Sequence, residues 1–169
     1  MKALTIRQPW ASLIACGAKV YETRSWPTKY RGQIAIHAAV KDPQKTWNGL
    51  SPKVQRAMPA ALLDKYPSFQ NMPRGAVIAT AELVECWKVI SDSKQRVALG
   101  GTRPDRHAVK FLRKPMHEIL YGDFTPGRYA WEIANVIVLA KPVPAKGRLG
   151  LWDWNRRRTA SPGRALRAR

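Results

Sequence analysis

Two long, strand-patterned runs narrow the fold more than any other feature. Gly75 to Trp87 contains Ala76-Val77-Ile78-Ala79-Thr80-Ala81-Glu82-Leu83-Val84-Glu85-Cys86-Trp87. It is rich in β-branched residues and too long to lie flat, which predicts a bend or bulge. Gly127 to Leu139 is the second run, with Tyr129, Trp131 and Ile133 alternating with Arg128, Ala130 and Glu132. Shorter strands are expected over residues 2–6, 20–24, 33–39 and 149–154. Short helical segments separate them without regular βαβ alternation, and no Gly-rich phosphate loop is present. Such a chain reads as α+β with a mostly antiparallel sheet.

The segment from 41 to 73 changes character. Asp42-Pro43, Asn48-Gly49, Ser51-Pro52, Met58-Pro59 and Tyr66-Pro67 punctuate it with breakers. Ser51 and Pro52 suit the N-cap and first position of a helix, and Val54, Met58, Leu62 and Leu63 give helical spacing. The expectation is a helical insertion within one domain spanning 1–154. A short helix is expected within 91–101, starting at Ser91 or Asp92 and ending at Gly100-Gly101. His107, Lys110, Phe111 and Lys114 could share a further helix face in the basic stretch 102–122. In the strand 33–39, Ile34, Ile36 and Ala38 share one face and Ala35 and His37 the other, so His37 either packs quietly or lines a site.

At 169 residues the chain has the length of one domain, with ample sequence for a core. It carries a net charge of +19, with 30 Lys and Arg against 11 Asp and Glu, which favours polyanionic partners, nucleic acid first. The tail 155–169 holds six arginines and no acid, and its composition predicts disorder; the rest keeps +13. Cys16 and Cys86 are expected as buried thiols, no metal-ligand spacing occurs, and no cofactor is expected. No apolar segment has the length to span a membrane, and no signal peptide is legible, so the default setting is cytoplasmic.

Chemistry concentrates in Gly17-Ala18-Lys19-Val20-Tyr21-Glu22-Thr23-Arg24. A short helix over Pro9–Cys16 precedes it, with Trp10, Leu13 and Ile14 on one face. Gly17 suits the left-handed turn after that helix. Alternation along the following strand puts Glu22 and Arg24 on one face and Tyr21 and Thr23 on the other. One acid and two bases thus converge at a helix–strand junction. Lys19 and Arg24 suit phosphate or base-edge contacts. Glu22 can hold either cation in place, accept from a base edge, or serve as a general base. Seven tryptophans are present; Trp10, Trp131 and Trp152 read as core, while Trp26, Trp87 and Trp154 lie near strand ends where a ring could stack on a base.

The pattern G-x-K-x-x-E-x-R, carried here by Gly17, Lys19, Glu22 and Arg24, resembles the signature of the ASCH family, a branch of the PUA-like superfamily. Similar segments are Ala3–Ala11, Arg24–Pro27, Tyr30–Ala38, Pro73–Ile78, Pro126–Trp131 and Gly147–Trp154. The resemblance implies a small PUA-like β-barrel with flanking helices. It also implies nucleic-acid binding, RNA in preference to DNA, in a cleft lined by Lys19, Glu22 and Arg24 with Gln8 and Trp26 beside it; His37, from the alternation above, is the further candidate for that site. Some relatives are amidohydrolases acting on the modified nucleoside N4-acetylcytidine through a Lys, a Thr and a Glu, and ribonuclease activity is attributed to others. Their Lys corresponds to Lys19. Their Thr falls at Glu22, and the stretch 91–101, comparable to the one that supplies their Glu, offers only Asp92. Were this chain an enzyme, Lys19 and Glu22 would be the catalytic pair.

Overall fold

The computed structural model describes residues 1–58, 60–103, 108–113 and 117–155. The order of elements is β1 (Lys2–Ile6), α1 (Trp10–Ala15), β2 (Tyr21–Arg24), β3 (Gly32–Ala38), α2 (Pro43–Asn48), α3 (Pro52–Arg56), α4 (Ala60–Lys65), a 3-10 turn (Phe69–Asn71), β4 (Ala76–Asp92), β5 (Arg96–Gly101), β6 (Val109–Arg113), α5 (His117–Leu120), β7 (Tyr129–Pro144) and β8 (Leu151–Asp153). The fold is α+β: one mixed sheet with a few short helices.

The sheet path is β2-β7-β4-β3-β1-β8, with β5 and β6 added beyond β4. Among the described residues only β1 and β3 run parallel; every other pairing is antiparallel. The two long runs form the spine. β4 and β7 pair along most of their lengths, and the register shifts three times between Val77 and Glu85. Those irregularities are the expected bulges, and they let the strands coil instead of lying flat. β2 and β8 end the path and are not paired with each other among the described residues. The Arg24 side chain of β2 nevertheless donates to the Thr5 carbonyl of β1 at 2.9 Å. A guanidinium spans only a few ångströms, so the sheet curls strongly enough to bring the two regions together.

The core lies inside that curl. Leu4, Ile6, Ile34, Ile36, Leu83, Trp131 and Ile133 from the sheet meet Ala11 and Ile14 of α1, all buried. Ala3, Ala35 and Val77 occupy the opposite face and allow Trp152 and Trp154 to pack close. Leu13, on the far side of α1, joins Met58, Leu62 and Met72 from the helical stretch between β3 and β4. Ser51 caps α3 as its position suggested, accepting from the Val54 N–H at 3.4 Å. Pro9 stands one residue earlier than expected, at the N-cap of α1.

Two expected helices are strands instead. Over 91–101, β4 continues to Asp92, Ser93 makes the turn by accepting from the Gln95 and Arg96 N–H groups, and β5 returns with Val97 and Leu99 fully buried. Ser near a helix start and Ser in a tight turn use the same side-chain chemistry, and burial of alternate residues decided for the strand. In β6, Lys110 and Phe111 fall on opposite faces: Lys110 binds Glu132, while Phe111 is exposed beneath the Arg96 guanidinium. His107, Lys114 and the arginine tail from 156 onward lie outside the described residues. Cys16 is exposed at the end of α1, against the expectation of two buried thiols; Cys86 is buried, and burial raises its thiol pKa.

Candidate nucleic-acid interface

The motif stretch folds as its residue types dictate. Gly17 takes φ +77 after α1, a conformation closed to most side chains, and the chain turns directly into β2. β2 pairs antiparallel with β7, setting Glu22 opposite Trp131 and Arg24 opposite Tyr129. Opposed residues share a face, so Glu22, Arg24, Tyr129 and Trp131 form one patch. Trp26 packs edge-on against Trp131, ring centroids 4.6 Å apart, and is half-buried.

Lys19, Glu22 and Arg24 meet. Glu22 Oε1 lies 3.0 Å from Arg24 Nη2, and Glu22 Oε2 lies 3.7 Å from Lys19 Nζ. The Lys19 side chain is only 1% exposed. Its ammonium donates to the Tyr21 carbonyl and, at 2.8 Å, to the Tyr121 carbonyl. Glu22, at 3.7 Å, adds the opposite charge beside these two hydrogen bonds. Burial lowers the Lys19 pKa, and the Glu22 and Glu118 carboxylates oppose that shift. Arg24 is the outward member, with 24% of its side chain exposed. Its Nη2 serves Glu22 and Thr5, its Nε is buried without an acceptor, and its Nη1 has no partner among the described residues.

Glu118 is the residue that sequence reasoning missed. It stands on α5, buried, and its two oxygens accept from the Val20 and Tyr21 N–H groups at 2.8 Å each. Burial raises its pKa, while Lys19 and the two N–H donors pull the other way. It therefore clamps the first residues of β2, and Tyr121, one turn later, supplies the carbonyl for Lys19. Nothing in the spacing links an acid near 118 to a motif near 20; an unpaired Glu in a short apolar helix was the sole signal.

The other expected site residues are placed differently. Gln8 is fully buried: its amide donates to the Pro73 carbonyl at 2.9 Å and accepts from the Ser12 N–H at 3.0 Å, so it pins the start of α1 to the loop before β4. His37 is also fully buried, on β3, with Nε2 2.9 Å from the Ala145 carbonyl and its ring edge-on to Trp152. Gly147 presses so closely on that ring that a Cβ there would lie 2.5 Å from His37 Cε1. Burial lowers the His37 pKa. The structure does not bring His37 into contact with Lys19, Glu22 or Arg24. Trp87 and Trp154 are buried, Trp87 donating to Glu132 at 2.6 Å, so neither offers a free ring. No group of three or more His, Cys, Asp or Glu suited to a metal ion occurs among the described residues, and none of their helices is long and apolar enough to cross a membrane.

A mixed α+β sheet with a Lys–Glu–Arg cluster at its helix–strand junction matches a known domain. Residues 4–143 fit the family model of the ASCH domain, and the chain belongs to that family. It is also similar to activating signal cointegrator 1 of Homo sapiens, 36% identical over 87 residues, which is 49% of this chain and 14% of that protein. The Mus musculus counterpart matches with the same identity and coverage. The matched stretch is thus a small part of each relative's length.

Proposed function

We propose that this ASCH domain binds nucleic acid, RNA in preference to DNA, at the outer end of β2, with Arg24 as the motif residue that meets the ligand. The observation that carries the reading is the state of the Arg24 guanidinium. It is held by Glu22 and Thr5 through one nitrogen, yet keeps a buried Nε–H without an acceptor and an uncommitted Nη1. Buried donors are normally satisfied, so the unmet Nε–H marks a guanidinium not fully spent within the protein, and the uncommitted Nη1 of this part-exposed side chain is the donor a phosphate or base edge would meet. Lys19 and Glu22 act in this reading as the posts that aim Arg24, and Trp26 flanks it with a half-buried ring. The net charge of +19 supplies the long-range attraction.

A hydrolase reading has one observation in its favour: Glu118, an acid whose pKa burial raises, stands within electrostatic reach of Lys19. Against it, both Glu118 oxygens accept backbone N–H groups and Lys19 donates to two carbonyls, so both are committed to structure. Binding is therefore the reading taken forward.

The test titrates the full chain and Arg24→Ala against short single-stranded RNA, duplex RNA and DNA, with product analysis of RNA and of N4-acetylcytidine after incubation. The expected result is tightest binding to one RNA class, weakened by about 10- to 100-fold in Arg24→Ala, with substrates recovered intact. Equal affinity of the variant overturns the assignment to Arg24. Turnover abolished by Glu118→Gln moves the hydrolase reading to the front.

A further inference from the structure

Beyond the motif, where β2 ends, the chain enters the wall of a groove of about 870 Å³. Pro27, Thr28 and Lys29 form one side, Lys88 of β4 and Arg103 beyond β5 the other, and Tyr129 lies against it. Tyr129 is directly opposite Arg24 in the β2–β7 ladder, so groove and motif are contiguous.

The four cations of this groove are in different states. Arg31 is spent: Nε and Nη2 bind the Glu85 carboxylate, Nη1 donates to the Thr28 and Tyr30 carbonyls at 2.8 Å each, and Nη2 also reaches the Thr102 hydroxyl at 3.2 Å. All five guanidinium hydrogens are used, so Arg31 braces the wall and has nothing left for a ligand. Arg103 shares the buried Glu85, with Nε 3.1 Å from Oε2, and lends Nη2 to the Val84 carbonyl at 3.3 Å, while its Nη1 has no partner among the described residues. Lys29 and Lys88 are exposed and have no acidic partner among the described residues. Among the described residues Glu85 is the one acid within this set; it is buried and faces two arginines, so it leaves the charges of Lys29 and Lys88 uncompensated.

From these commitments we infer that the groove binds the phosphodiester backbone of a nucleic-acid strand, with Lys29, Lys88 and the Nη1 group of Arg103 contacting phosphate oxygens while the strand continues to Arg24. Glu85 and Arg31 are positioning residues that fix the wall and aim Arg103. The inference rests on the nucleic-acid reading above and gives it a track. Lysines are suited to that role as point charges that tolerate varied phosphate positions, whereas the fixed fork at Arg24 suits a single, oriented acceptor.

The experiment is fluorescence anisotropy of the full chain with a short fluorescein-labelled oligouridine over a series of salt concentrations. It compares wild type, Lys29→Ala/Lys88→Ala, Lys29→Arg/Lys88→Arg, and a control, Lys53→Ala/Lys94→Ala, which removes two equally exposed lysines outside the groove. The groove double variant is expected to bind about tenfold more weakly at low salt, with the slope of log K against log salt shallower by about 1.4, the value for two phosphates on a single strand. The arginine pair restores both, and the control stays within about twofold of wild type. A groove variant that behaves like the control, while wild type binds, overturns the track alone. Wild type that fails to bind the oligouridine, duplex RNA or DNA overturns the nucleic-acid reading and the track with it.

Discussion

Lys19 shows how a motif residue can spend its charge inside the protein. A buried ammonium is costly unless it is hydrogen-bonded and paired, and here two carbonyls accept from it while the Glu22 carboxylate, at 3.7 Å, supplies the opposite charge. Lys19→Met fits the volume but leaves the Tyr21 and Tyr121 carbonyls unmet, and is expected to lower unfolding free energy by about 2–4 kcal/mol, read by urea denaturation. The pH dependence separates this from simple packing loss. Burial sets the folded-state pKa of Lys19 below the ordinary 10.5, so between those two values the unfolded chain binds more protons than the folded one. Stability from this residue therefore rises with pH across that window and is reduced below it, where the ammonium must stay charged while buried. The wild-type advantage over Lys19→Met is expected to grow as pH approaches 10.5; a difference that is flat or shrinks contradicts a depressed Lys19.

Among elements, the long strands were legible because alternation and β-branching persist over enough residues to leave one period in play. The convergence of Lys19, Glu22 and Arg24 was legible too, since a glycine turn and a period of two leave little freedom over so short a stretch. The β5–β6 hairpin was not. Ser91, Asp92 and Ser93 carry side chains that cap a helix or close a turn equally well, and the deciding quantity, burial of Val97 and Leu99 against β4, belongs to the tertiary structure. Glu118 was hidden for a related reason: its partners are backbone N–H groups nearly a hundred positions away, which leave no mark on neighbouring side chains. Alternation along β3 left His37 either packing or lining a site; in the structure His37 and Gln8 are both buried, with His37 Nε2 meeting the Ala145 carbonyl and the Gln8 amide meeting Pro73 and Ser12. Arg103, just beyond β5, is fastened to β4 by Glu85, which also binds Arg31 and the Cys86 N–H. Glu85→Ala leaves those cations facing one another, and a loss of about 3 kcal/mol in unfolding free energy is expected, read by denaturant titration. A change below about 0.5 kcal/mol, the scale of an ordinary surface substitution, contradicts the brace.

On the scale of the whole molecule, the curl of the sheet brings β1 within reach of β2 and opens the outer ends of β2, β4 and β7 as a concave, basic surface. Lys19 and Arg31 are committed beneath it to Glu22 and Glu85, while Lys29 and Lys88 above meet no acid among the described residues. That division, with committed charges beneath and uncommitted charges above, is what a polyanion-binding face requires: the lower layer holds shape and the upper layer exchanges counterions for phosphates. The six arginines after Trp154 contribute to the net charge of +19. The most direct measurement is a proton–nitrogen correlation spectrum of the isotopically labelled full chain, including arginine Nε–H signals, recorded while single-stranded RNA is added. The account predicts that the Arg24 Nε–H and the amides of Lys29, Lys88 and Tyr129 shift together, with Lys19 and His37 little changed. Shifts confined to the residues after Trp154, with Arg24 and the groove silent, would contradict it.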